Sequence, residues 1–127
     1  MSTEEPRRLL IIEDDPGLQS QMRWCFADVE VFTASDRDSA ITEFRREQPQ
    51  VVTLDLGLPP DPGGASVGFA LLKELLALEP STKVIVITGR EEREHAVSAI
   101  ARGAYDYYQK PVDRDTLVFV EIGRAHV

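Results

Sequence analysis

Apolar residues follow two rhythms that alternate along this chain. Leu9-Leu10-Ile11-Ile12, Val51-Val52-Thr53-Leu54 and Val84-Ile85-Val86-Ile87 are short, continuous and rich in β-branched residues. That is the pattern of parallel strands buried on both faces. Between them apolar positions recur at helical spacing. The first helical stretch follows Asp15-Pro16, with Asp15 as N-cap and Pro16 at the first helical position. It carries Leu18, Met22, Cys25 and Phe26. The pattern predicts strands over about 7–13, 29–33, 50–55, 83–87 and 105–109. A second helix, capped by Ser35 or Asp36, bears Ala40, Ile41 and Phe44 and stops near Pro49. A third packs Phe69, Leu72, Leu75 and Leu76 and ends before Pro80. The fourth, over about 91–102, offers only Ala96, Val97, Ile100 and Ala101 to a core, so weak anchoring is expected. Gly103 ends it as a C′ glycine. Asp113 or Asp115 starts a last helix with Leu117, Val118, Val120 and Ile122. Its local propensity is poor, yet the sheet needs a final cover. Residues 57–66 hold three Pro and three Gly and read as loop. The sum is (βα)5, an α/β domain with right-handed crossovers.

Chemistry-bearing residues cluster at one kind of place in this pattern. Glu13 and Asp14 follow the first strand, Asp55 ends the third, Thr88 follows the fourth, and Lys110 follows the fifth. In an open parallel sheet, ligands bind outside the carboxyl ends of the strands. Three carboxylates, a hydroxyl and an ammonium are therefore expected in one crevice. Crowded carboxylates repel, and a hard divalent cation relieves them. An acid–metal–lysine site of this kind suits phosphoryl transfer.

Bulk properties narrow the reading. The chain has 127 residues, enough for one domain with one good core. Its net charge of −8 argues against gripping nucleic acid through its own surface. No apolar run approaches a membrane span, and the start MSTEEPRR has no signal-peptide core. The single Cys25 excludes an internal disulfide and fits a reducing cytoplasm. Between Trp24 and Phe26 it reads as a structural thiol. His95 and His126 read as surface residues, and Arg45-Arg46 as a solvated helix face.

The segments LLIIEDDPG, VVTLDLGLP, VIVITG and GAYDYYQKP resemble the receiver domain of bacterial two-component response regulators. The resemblance runs from about Arg7 to the C-terminus. It implies a flavodoxin-like fold, a doubly wound parallel sheet of strand order 2-1-3-4-5. It also implies that a sensor histidine kinase donates a phosphoryl group to Asp55, with Lys110 and Thr88 assisting. The implied metal is Mg²⁺ or Mn²⁺, held by Glu13, Asp14, Asp55 and the backbone carbonyl of Gly57. Thr88 and Tyr107 form the implied switch, and Pro111 is the candidate for a cis peptide. A narrower likeness, in QMRWCF, DLGLPPDPGGAS and VITGREERE, is to sigma-54-dependent regulators tied to exopolysaccharide and protein-sorting (PEP-CTERM) systems. Those continue into an AAA+ ATPase domain and a helix-turn-helix, so residues 1–127 are expected to be one receiver domain excised from a longer regulator. The kinase is expected to meet the first helix and the loop after the fifth strand, with Gln19 and Gln21 on the partner-facing edge and Leu18 and Met22 partly in the core. The output domain or a downstream protein would be the second partner, with homodimerisation on phosphorylation.

Two other classes share parts of this pattern. An aspartate-nucleophile phosphatase of the haloacid dehalogenase class needs a second acid two residues after the nucleophile, where this chain has Gly57. A flavin-binding flavodoxin needs a hydroxyl- and glycine-rich phosphate loop after the first strand, where Glu13-Asp14-Asp15 would repel phosphate. A receiver that switches without phosphate would lack some of these site residues, and all five are present.

Overall fold

The structure, a computed structural model, describes residues 7–26, 29–59, 65–89 and 93–110. Strands β1 (Arg8–Ile12), β2 (Glu30–Ala34), β3 (Val51–Asp55), β4 (Lys83–Thr88) and β5 (Asp106–Gln109) alternate with α1 (Pro16–Trp24), α2 (Arg37–Glu47), α3 (Ser66–Leu78) and α4 (Arg93–Ala101). The sheet is all parallel in the order β2-β1-β3-β4-β5. This is the fold class the sequence predicts. Its fifth helix, the Leu117 to Ile122 stretch, lies outside the described residues, as do Pro111 and His126.

Alternation along each strand sorts the core into two layers. Leu10, Ile12, Val52, Leu54, Val84 and Val86 meet α2, α3 and Ala99 of α4. Leu9, Ile11, Val51, Ile85 and Ile87 meet Met22 and Phe26 from α1 and its C-terminal end. Every residue of β3 is buried, as expected for a central strand covered on both faces.

Local chemistry fixes the helix ends. Asp15 Oδ1 accepts from the N–H groups of Gly17 and Leu18, capping α1. Asp36, not Ser35, caps α2, and Ser39 answers it in a reciprocal capping box. Gly103, at φ 108°, closes the turn after α4 in the left-handed region that glycine enters without steric cost. α3 has no side-chain cap and relies on the burial of Leu71, Leu72 and Leu75. No described helix is long and apolar enough to cross a membrane.

α4 departs from expectation. Its buried residues are Ala96 and Ala99, while Val97 is 57% exposed and Ile100 and Ala101 also face outward. The helix approaches the sheet through its smallest side chains, so the larger aliphatics are turned away. Weak anchoring holds: of the expected residues Ala96 alone is buried, and Ala99 joins it.

Candidate functional site

The register of the sheet assembles the acids. Ile12 pairs with Leu54, so the residues that follow them, Glu13 and Asp55, emerge side by side. They are 2% and 5% exposed, and Asp14 is the most open of the three acids. One carboxylate oxygen from each of Glu13, Asp14 and Asp55 lies within 4.8 Å of the others. Lys110 comes from the end of β5, where its N–H donates to the carbonyl of Thr88 at 2.8 Å. Its Nζ lies 3.4 Å from Glu13 Oε1 and 3.5 Å from Asp55 Oδ2. Two backbone amides complete the setting. Gly57 N–H donates to Asp55 Oδ1 at 3.0 Å, and Asp15 N–H donates to Glu13 Oε2 at 3.1 Å.

The electrostatics follow from that crowding. Burial pushes the Glu13 carboxyl up to about 8, and the neighbouring Asp55 adds to the rise through its charge and a hydrogen bond. The Asp15 amide and Lys110 pull the other way without cancelling it. For Lys110, burial opposes the ammonium, but Asp55 and then Glu13 outweigh it and raise its pKa. One ammonium facing three carboxylates leaves negative charge uncompensated. Oxygen-only donors of this kind fit a hard divalent cation such as Mg²⁺ or Mn²⁺ rather than a soft one.

Thr88 and Tyr107 flank the cluster on the α4 side. Thr88 is fully buried, and its Oγ1 has no hydrogen-bond partner among the described residues. A buried hydroxyl without a partner costs free energy, so this one is available to an acceptor that arrives later. Tyr107 is half-buried against the α2–α3–α4 layer, and beside it Arg93, Tyr108 and Gln109 line a cavity of about 330 Å³.

The sequence-predicted residues Glu13, Asp14, Asp55, Gly57, Thr88 and Lys110 therefore share one end of the sheet, with Tyr107 two strand positions before Gln109. Gln19, expected on the partner-facing edge, is half-buried. Its amide turns inward and donates to the carbonyl of Glu13. Gln21 is exposed, Leu18 is half-buried and Met22 is fully buried. His95 is half-buried rather than on the surface, with its ring edge-on to Phe69 at 6.0 Å between centroids.

Gly68 was not marked by the sequence pattern as a site residue, yet it packs on Leu56, the residue that follows Asp55. A Cβ there would lie 2.6 Å from Leu56 Cα and 2.7 Å from Leu56 O. Glycine thus lets α3 press directly on the backbone that follows Asp55. The available signal was an isolated Gly inside an otherwise apolar helix.

Comparison with known proteins agrees with this geometry. Residues 9–120 match the family model of the response regulator receiver domain. The chain is 33% identical over 114 residues to the nitrogen assimilation regulatory protein NtrX of Azorhizobium caulinodans, covering 88% of this chain and 24% of that one. It is 34% identical over 112 residues to the regulatory protein AtoC of Escherichia coli, covering 87% and 23%. Among solved structures, the receiver domain of NtrX from Brucella abortus matches with a TM-score of 0.84 at 34% identity, covering 94% of this chain and 98% of that one. The chain belongs to the response regulator receiver family, the signalling domains of two-component systems. It spans about a quarter of the length of the curated relatives NtrX and AtoC.

Proposed function

We propose that Asp55 accepts a phosphoryl group from a sensor histidine kinase and that the resulting acyl phosphate resets the α4–β5 face. The observation that carries this reading is the Lys110 ammonium within 3.5 Å of both Glu13 and Asp55, beside Asp14. A carboxylate oxygen of Asp55 attacks phosphorus. The phosphorus–nitrogen bond of the donor phosphohistidine breaks, and the imidazole nitrogen keeps the electron pair. Gly57 N–H holds one Asp55 oxygen, which orients the carboxylate for attack. Lys110 faces the charge of the incoming phosphoryl oxygens. Glu13, Asp14, Asp55 and the Gly57 carbonyl would hold Mg²⁺ or Mn²⁺, which when bound neutralises charge on the transferring group.

Thr88 then donates its unpartnered hydroxyl to a phosphoryl oxygen, a charge-assisted bond stronger than a neutral one. That movement frees space for Tyr107 to turn inward, and α4, held by two alanines, follows. The output is control of a further domain of the same regulator, and through it of transcription. On this reading the chain is the receiver portion of a longer regulator, works in the cytoplasm, catalyses its own dephosphorylation and dimerises when phosphorylated.

Treatment with acetyl phosphate and Mg²⁺ tests the core claim. The intact mass rises by one phosphoryl group, and the modification maps to Asp55. Asp55→Asn loses the signal entirely; an undiminished signal in that variant overturns the proposal.

A further inference from the structure

Gln19 makes a contact that neither the fold nor the phosphoryl chemistry requires of it. It lies in the first turns of α1, where its own N–H donates to Asp15 O at 2.9 Å. Its side-chain Nε2 donates to the carbonyl of Glu13 and also lies 3.3 Å from Ala34 O and 3.2 Å from Ser35 Oγ. Three acceptors surround this one nitrogen. One of its two hydrogens serves Glu13, and the other is shared between Ala34 and Ser35. Glu13 N–H in turn donates to Ala34 O at 2.9 Å. A single amide thus ties the start of α1 to the ends of both β1 and β2.

The carbonyl it holds belongs to the peptide that joins Glu13 to Asp14. Fixing that peptide plane fixes ψ of Glu13 and φ of Asp14, the two soft dihedrals that separate these acids. Asp15 N–H already holds Glu13 Oε2 at 3.1 Å. Together these bonds leave the Glu13–Asp14 unit little freedom to turn its carboxylates out of the cluster. Without the Gln19 bond, three crowded carboxylates are free to relax apart by rotating that peptide.

We infer that Gln19 is a positioning residue, holding the Glu13–Asp14 peptide so that both carboxylates stay aimed at Asp55, where the three together would hold a divalent cation. This rests on the reading of the site given above. Partners that orient metal ligands contribute about 10- to 100-fold in metal affinity, and that is the size of effect expected here.

Two variants separate this role from simpler ones. Gln19→Met keeps the length of the side chain and removes the donor. Gln19→Glu keeps the shape, removes the donor and adds a negative charge. Mg²⁺ is titrated into ¹⁵N-labelled wild type and both variants while the amide signals of Asp14 and Gly57 are followed. Both variants are expected to bind Mg²⁺ at least about 10-fold more weakly, with their apo spectra elsewhere unchanged. Saturating Mg²⁺ is expected to recover Asp55 labelling by acetyl phosphate. Affinities within twofold of wild type overturn the inference, as does tighter binding by Gln19→Glu, which would make the effect one of charge. Loss of the folded spectrum in both variants overturns it too, because Gln19 would then hold the fold and not the site. A wild type that neither binds Mg²⁺ nor labels would refute the phosphoacceptor reading itself, a different result from either.

Discussion

β3 with α3 and β5 with α4 are built from the same βα plan but carry very different loads. β3 is buried at every position, and α3 buries Leu71, Leu72 and Leu75 along with Gly68. β5 is half-buried, and α4 fully buries only Ala96 and Ala99, with His95 half-buried against Phe69. Aliphatic side chains of leucine size contribute roughly 1.5–3 kcal/mol each on full burial, and an alanine methyl far less. The heavily packed half ends in Asp55, the residue that must not move. The lightly packed half ends in Lys110 and carries Tyr107, next to the part that, on the proposed reading, has to respond. On the proposed reading two positions of α4 lie within a few kcal/mol of each other, a latitude that the packing of α3 denies it.

The largest test of this contrast is Leu72→Ala in α3. It removes a fully buried side chain and is expected to cost about 2–5 kcal/mol in chemical denaturation. A loss below about 1 kcal/mol would show that α3 is no better packed than α4. Gly68→Ala comes next. Its new methyl meets the Leu56 backbone, which cannot step aside as a flexible side chain would, so a cost of about 1–3 kcal/mol is expected. Because the displaced backbone adjoins Asp55, labelling by acetyl phosphate slows as well.

The acid cluster adds a pH signature. The Glu13 carboxyl is raised from 4.5 in the unfolded chain to about 8 in the fold. Between those values the native state binds more protons than the unfolded state, so stability falls as pH rises. Thermal melts in chelator are expected to be higher at pH 5 than at pH 8.5, and Glu13→Gln flattens that difference. Equal slopes in wild type and variant would show that burial at this end of the sheet is not what strains the acids. The smallest effect belongs to α4. Val97→Ser changes a side chain that is 57% exposed, and its stability is expected to stay within about 0.5 kcal/mol of wild type. A loss comparable to that of Leu72→Ala would erase the distinction between the two halves.

The sequence made the sheet and its chemistry legible because both rest on short-range signals. Continuous β-branched runs mark β1, β3 and β4, and each acid of the cluster directly follows or ends one of them. Asp15-Pro16 announced the start of α1, and its cap is as expected. What stayed hidden depends on distances that no periodicity encodes. On α4 the apolar residues Ala96, Val97, Ala99, Ile100 and Ala101 span too wide an arc to name a buried edge, and close approach buried two of the three alanines. Gln19 reads as a polar surface position of an amphipathic helix. Its inward turn follows from where the ends of β1 and β2 lie relative to the first turn of α1. The close passage of Gly68 over Leu56 belongs to the same class, a tertiary approach that local pattern cannot report.

The all-parallel order of the sheet also has a kinetic consequence. No two neighbouring strands form a hairpin; each ladder joins segments separated by at least one crossover helix. Every pairing therefore has to close a long loop before its contacts repay that cost, which places the domain among the slower folders of its size. The carboxylates of Glu13 and Asp55 come together only when the β1–β3 ladder forms, so their repulsion is met only once that long loop has closed. A cation that relieves that repulsion finds its binding site only once this ladder has formed. Divalent metal is therefore expected to slow unfolding far more than it hastens folding.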